Sequence, residues 1–207
     1  MRAMFLSLLY WFWAIHADGH SDCTSGFTSL DGIVTALGRT ITNQAHRQQR
    51  IIPHINFTCD GAITKWIVAG RWDEDPNSEW YPDIQIWRRT GTNMFTKVGN
   101  TTLRVEGGSD TVTYYEHSLI TPLNFQAGDV LGIFQPGRGR NRLRVYFLSG
   151  VGPRNYYETV ASNDIVEPPS DMFTLGAVFQ NDLPLVAVEI CKCTCTVYNS
   201  TMECICT

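Results

Sequence analysis

Four arginines fall within eight positions, at Arg138, Arg140, Arg142 and Arg144 of the stretch G-R-G-R-N-R-L-R, in a chain of formal net charge -4. Guanidinium forks bind sulfate and carboxylate through paired hydrogen bonds, so this run suits an acidic extracellular glycan. The same residues also suit a strand edge kept from pairing with other chains by its charge. A second stretch, W-D-E-D-P-N-S-E-W-Y-P-D at 72–83, crowds Asp73, Glu74, Asp75, Glu79 and Asp83 among Trp72, Trp80 and Tyr81. Clustered oxygen ligands could hold calcium, and aromatic rings beside carboxylates suit a sugar. The spacing matches no defined calcium loop, and a solvated connection with its aromatics capping a sheet edge accounts for it equally, so neither a metal nor a cofactor is expected. The ligand-binding candidates are therefore Trp72, Trp80, Tyr81 and the four arginines.

For nucleophilic catalysis the chain after residue 17 offers His20, His46, His54 and His117, without a G-x-S-x-G elbow, an H-E-x-x-H helix or a Cys-His signature. Gly107-Gly108-Ser109-Asp110 lacks the strand-to-helix setting of an elbow and reads as a turn. No catalytic residue is assigned. A glycosidase-type carboxylate pair depends on a separation of ~5 to 10 Å that only the fold sets, so a secreted hydrolase stands as the alternative to a non-catalytic module.

The first residues set the compartment. Met1-Arg2, an apolar block from Met4 to Ile15 and then Ala17-Asp18-Gly19 have the layout of a secretory signal peptide, with cleavage expected after Ala17. The apolar block is short of the roughly 20 residues that span a bilayer, and no other segment is long enough, so no transmembrane anchor is expected. The leader's only charge is Arg2, so the mature chain is more acidic still, and nucleic acid is not an expected partner.

All seven cysteines follow the leader, at Cys23, Cys59, Cys191, Cys193, Cys195, Cys204 and Cys206, where an oxidising compartment favours disulfides. A Cys23–Cys59 bridge would tie the leading segment to the first strands and contribute about 3 kcal/mol in the chain-entropy model. Alternatively, Cys59 reaches the tail and Cys23 is left unpaired. In the tail, C-K-C-T-C and C-I-C suit either a thiolate metal site or, as secretion favours, a disulfide-stapled hairpin turning near Asn199-Ser200. Sequons at Asn56, Asn100 and Asn199 are glycosylation candidates of the same compartment.

The positioning elements read as strands. Aromatic residues make up 12% and charged residues only 17%, a balance that favours an aromatic-rich β protein over a helical bundle. Ile33, Val34, Leu37 and Ile41 have loosely helical spacing, interrupted by Gly38, and predict one short helix within a leading segment at 18–50. Short runs at 51–58, 62–69, 84–88, 95–98, 111–117, 142–148, 173–179 and 185–190 are rich in β-branched or aromatic residues and bounded by turn formers. At the centre, P-L-N-F-Q-A-G-D-V-L-G-I-F-Q-P at 122–136 predicts a core hairpin turning at Ala127-Gly128-Asp129 and stopped by a proline at each end. Its second half is a nearly continuous apolar run, as expected of a strand covered on both faces. The fold class is all-β, a two-sheet sandwich or jelly-roll-like domain at 51–190 followed by a Cys-rich tail at 191–207.

The ordered series I-I-P-H-I-N-F-T-C-D-G-A-I-T-K-W, Y-P-D-I-Q-I-W-R, F-T-K-V-G-N-T-T-L, F-Q-A-G-D-V-L-G-I-F-Q-P and D-L-P-L-V-A-V-E-I resembles an uncharacterised extracellular domain of sponge cell-surface proteins, over roughly residues 50–190. That resemblance implies an extracellular module often joined to other ectodomain modules and a membrane anchor, and brings no activity with it. The expected function is a non-catalytic recognition or adhesion module for a glycan or protein ligand. A structural spacer is the further alternative.

Overall fold

The computed structural model of the protein describes residues 23–38, 42–43, 48–73, 80–136, 142–159, 170–176, 178–198 and 201–206, with 42–43, 192–198 and 201–206 described by their backbone. The expected signal peptide lies outside the described residues. Short β1 (Thr24–Ser25) leads into α1 (Leu30–Ala36) and β2 (Thr42–Asn43). The body follows as β3 (Gln48–Phe57), β4 (Gly61–Trp72), β5 (Asp83–Arg89), β6 (Met94–Thr102), β7 (Thr113–Phe125), β8 (Val130–Gln135), β9 (Leu143–Leu148) and β10 (Asn155–Thr159). Three short strands, β11 (Met172–Thr174), β12 (Phe179–Gln180) and β13 (Leu183–Pro184), precede the closing pair β14 (Val186–Tyr198) and β15 (Thr201–Cys206). The first sheet has the order β11-β6-β5-β8-β3-β10-β12, with β1 also on β3. The second runs β13-β9-β4-β14-β15, with β7 on β4 and β2 on β9. The all-β, two-sheet expectation is met.

Period-two alternation places Ile52, Ile84, Ile86, Leu131 and Ile133 of the first sheet against Ile63, Trp66, Val68, Val145, Phe147 and Val186 of the second, forming the main core. Both outer faces are apolar too. The predicted helix forms as α1, with Ser29 capping its first turn by accepting from Gly32 N, and it packs Ile33 and Ala36 with Ile67, Ala69, Leu185 and Ala187 on the outside of the second sheet. On the outside of the first sheet, Ile51, Trp87, Phe95 and Val130 are covered by Phe173 with Leu175. This double coverage explains why every residue of β8 is buried.

The predicted core hairpin does not form. Its first half belongs to β7, which pairs with β4 in the second sheet, whereas β8 lies between β3 and β5 in the first. Both edges of β8 are therefore occupied, and the turn at Gly128 (φ 89°) carries the chain from one sheet to the other. Gly128 N and Phe57 O, and Phe57 N and Asp129 O, hold that crossing at 2.8 and 2.9 Å. Nor does Pro122 stop a strand: the β4–β7 register shifts between Ile63↔Leu123 and Lys65↔Ser118, and the bulged segment tolerates a residue with no N–H. The run predicted as one strand at 173–179 is split into β11 and β12, which lie at opposite ends of the first sheet's strand order. β10, N-Y-Y-E-T, is an additional strand that the apolar pattern did not reveal.

Candidate functional site

The two stretches singled out for ligand chemistry meet at one corner of the second sheet. β4 ends in Arg71-Trp72 and pairs there with the start of β9, in the register Arg71↔Arg144 and Trp72↔Leu143. Beyond the strands, Asp73 N donates to Arg142 O at 2.8 Å, and Arg142 N donates to Trp80 O at 2.7 Å. Five of the seven ligand-binding candidates, Trp72, Trp80, Tyr81, Arg142 and Arg144, are thereby brought together. Arg138 and Arg140 lie outside the described residues, as do Glu74, Asp75 and Glu79.

The corner is partly self-satisfied. Arg144 Nη2 reaches Asp73 Oδ2 at 3.1 Å, with the two side chains 18% and 26% exposed. Arg142 Nη1 donates to Asp73 O at 3.0 Å, and its guanidinium lies over the Trp72 ring at 5.2 Å. Tyr81 stands tilted against Trp72 at 6.3 Å, while Trp80 is buried. The Gly107-Gly108-Ser109 turn closes the other side of Trp72: Trp72 N donates to Ser109 O at 3.0 Å, and a Cβ at Gly108 would overlap the Trp72 side chain. One donor remains without a protein partner, the buried Arg144 Nε. Arg144 thus engages the Asp73 carboxylate and Arg142 the Asp73 backbone carbonyl, and Arg142 lies against aromatic surface. Such a surface favours an anion bearing an apolar or ring-shaped body over a bare inorganic ion.

The remaining candidates are dispersed. Asp83 is buried in β5, where it accepts from Thr102 Oγ1 at 2.6 Å, away from the Asp73–Arg144 pair. His117 is half-buried with Nδ1 2.9 Å from Arg104 O, and His54 is exposed. His20 and His46 lie outside the described residues. Cys23 and Cys59 form a disulfide with Cα atoms 5.1 Å apart, which settles their pairing and fixes β1 beside β3. Cys191 is half-buried on β14 opposite Ala62. Asn100 is exposed on β6 and Asn56 half-buried on β3, whereas Asn199 lies outside the described residues.

A second polar cluster was invisible in the sequence. Arg50, on β3 and only 2% exposed, points between the sheets. Its Nε and Nη2 donate to Gln48 Oε1 at 3.0 and 2.8 Å, Nη1 to Asn155 Oδ1 at 2.9 Å and Asp182 Oδ2 at 3.4 Å, and Nη2 to Gln180 Oε1 at 2.7 Å. The guanidinium lies over Phe147 at 4.8 Å and Tyr157 at 5.6 Å. Burial pushes the Arg50 pKa below its ordinary value, and Asp182 opposes that shift. Every arm of the fork is occupied, so the cluster organises the sandwich rather than offering a site. The one sequence signal was the polar triplet Gln48-Gln49-Arg50 opening an otherwise apolar strand.

The chain matches no family model, and neither the curated proteins nor the solved structures contain a significant match. Among the described residues no helix is long and apolar enough to cross a membrane, which says nothing of strand-built membrane proteins.

Proposed function

We propose that the protein is a non-catalytic extracellular recognition module whose ligand surface is the Trp72–Arg142–Arg144 corner, and whose ligand is an acidic glycan. The observation that carries this reading is the convergence itself: Arg144 and Asp73 are 71 positions apart in the chain, yet the register of β4 and β9 places them in contact, and Arg142 lies over the Trp72 ring that Tyr81 flanks. Sulfate or carboxylate groups would engage the arginines, and sugar faces the aromatic surface. Arg138 and Arg140 extend the same basic run in the sequence. The secretory leader, the sequons and the resemblance to sponge extracellular domains agree with an extracellular setting, in which the mature chain begins near Asp18. β7, β8, β9 and β10, which fall in the second, first, second and first sheets in turn, fit a jelly-roll-like connectivity.

Heparin chromatography of the secreted full chain tests the reading. Retention at low salt that persists at physiological ionic strength, and that Arg138→Ser with Arg140→Ser weakens without changing thermal stability, is the expected result. Absence of retention even at low salt, where screening is weakest, overturns it. Retention unchanged in the double variant moves the ligand surface elsewhere.

A further inference from the structure

Four of the seven cysteines fall on the hairpin that closes the chain. β14 runs along β4 as far as the pairing Lys192↔Gly61 and then continues with β15, in the register Cys193↔Cys206, Thr194↔Ile205, Cys195↔Cys204, Thr196↔Glu203, Val197↔Met202 and Tyr198↔Thr201. Among the described strands, β15 has no other neighbour. A two-stranded ribbon is marginally stable at best in water, so something other than a sheet ladder must hold this one. The register places the cysteines where they can do so.

We propose that the hairpin is clamped by two cross-strand disulfides, Cys193–Cys206 and Cys195–Cys204. Directly opposed residues of an antiparallel pair have Cα atoms about 4.5 or about 5.5 Å apart, according to pair type, and both values lie within the ~4.4–6.8 Å span of disulfides. The two cysteine pairs are separated by two residues on each strand, so they share a pair type and a face of the ribbon. The crossed pairing, Cys193 with Cys204 and Cys195 with Cys206, would have to join diagonal positions about 7–8 Å apart. Pairing along one strand, Cys193 with Cys195, joins residues about 6.6 Å apart, at the limit of the span, and would leave the two strands unlinked. The Cys23–Cys59 bridge shows the same chain holding a disulfide at a Cα separation of 5.1 Å. Each rung forms when two thiols lose two protons and two electrons. The electrons pass by thiol–disulfide exchange to a disulfide-bearing oxidant, which leaves as a dithiol, so two rungs consume two such equivalents.

The sequence supplies the test. No Lys or Arg follows Lys192, so trypsin releases all four cysteines in one fragment beginning at Cys193, and Glu203 is the only acidic residue within it. A glutamate-specific protease then divides that fragment into 193–203 and 204–207. From the deglycosylated secreted full chain, the two pieces should stay joined without reductant and be lighter by four hydrogens than the reduced pair. Pieces that separate without reductant, or four thiols that alkylate only after a chelator removes a metal ion, overturn the proposal. Connectivity follows from two double variants. Cys193→Ser with Cys206→Ser should keep the pieces joined, whereas Cys193→Ser with Cys204→Ser should free them and expose two thiols to alkylation. The reverse outcome establishes the crossed pairing instead.

Discussion

Two arginine clusters of this molecule use the same functional group to opposite ends. Arg50, inside the sandwich, meets the amide oxygens of Gln48, Asn155 and Gln180 and the carboxylate of Asp182, with Phe147 and Tyr157 against its planar face. At the corner, Arg142 bonds the Asp73 carbonyl and lies over the Trp72 indole, while Arg144 bonds the Asp73 carboxylate and keeps its Nε without a protein partner. Saturation, rather than charge, distinguishes them. A buried guanidinium is tolerable only when its donors are all met, and once they are met it has nothing left to offer a ligand. The corner falls short of that condition, since Arg144 Nε is itself buried and unmatched.

The interior cluster should be the more fragile. Arg50→Ala strands the acceptors of Asp182, Gln48, Asn155 and Gln180 and should cost about 3–5 kcal/mol in urea denaturation, the range for breaking a buried ion pair. Arg50→Lys should recover only part of that, since an ammonium cannot span the same fork. A loss under about 1 kcal/mol would erase the distinction between the clusters. Gly132→Val disturbs the neighbouring strand from its other face: a Cβ there would overlap the Trp87 indole and lie 3.1 Å from Arg50 O. It should destabilise by about 1–3 kcal/mol through overpacking, and an unchanged denaturation midpoint would show that β8 is not the rigid centre of its sheet.

Arg88 sharpens the comparison because it is intermediate. Its side chain is 39% exposed, but it holds the Asp129 carboxylate, 1% exposed, through Nε–Oδ1 and Nη2–Oδ2 contacts of 2.8 Å each. Arg88→Ala should cost about 1–2 kcal/mol, set by the acceptor left buried rather than by the arginine removed. Arg144→Ala should cost least, about 0.5 kcal/mol, as expected of a partly solvated pair. A loss as large as that of Arg50→Ala would make the corner part of the scaffold and count against it as a ligand surface.

Much of the framework was legible because it rests on local pattern. The β-branched and aromatic runs at 62–69 and 84–88, the short helix and the continuous apolar run of β8 each reflect one residue's relation to its near neighbours, and the structure reproduces them. The hairpin misreading has the same origin: Ala127-Gly128-Asp129 is a turn in either case, and nothing nearby says whether the strands it joins pair with each other or enter different sheets. β10 escaped notice because its residues are mostly polar and half-exposed, so its place beside β3 is set by backbone pairing rather than by an apolar face. The individual corner residues were visible by type. Their meeting was not, since it depends on the register of β4 with β9.

The crossing at Gly128 also bears on how the molecule comes to be folded. Because β7 and β8 do not pair with each other, this tight turn cannot seed a hairpin, and β8 must wait for β3 and β5. Arg50 on β3 pairs with Ile133 on one side and Tyr157 on the other, both far along the chain. Loop-closure entropy must be met before any of those ladders yields stabilisation, which places the protein among slow, non-local folders. While it waits, β8 exposes apolar residues on both faces.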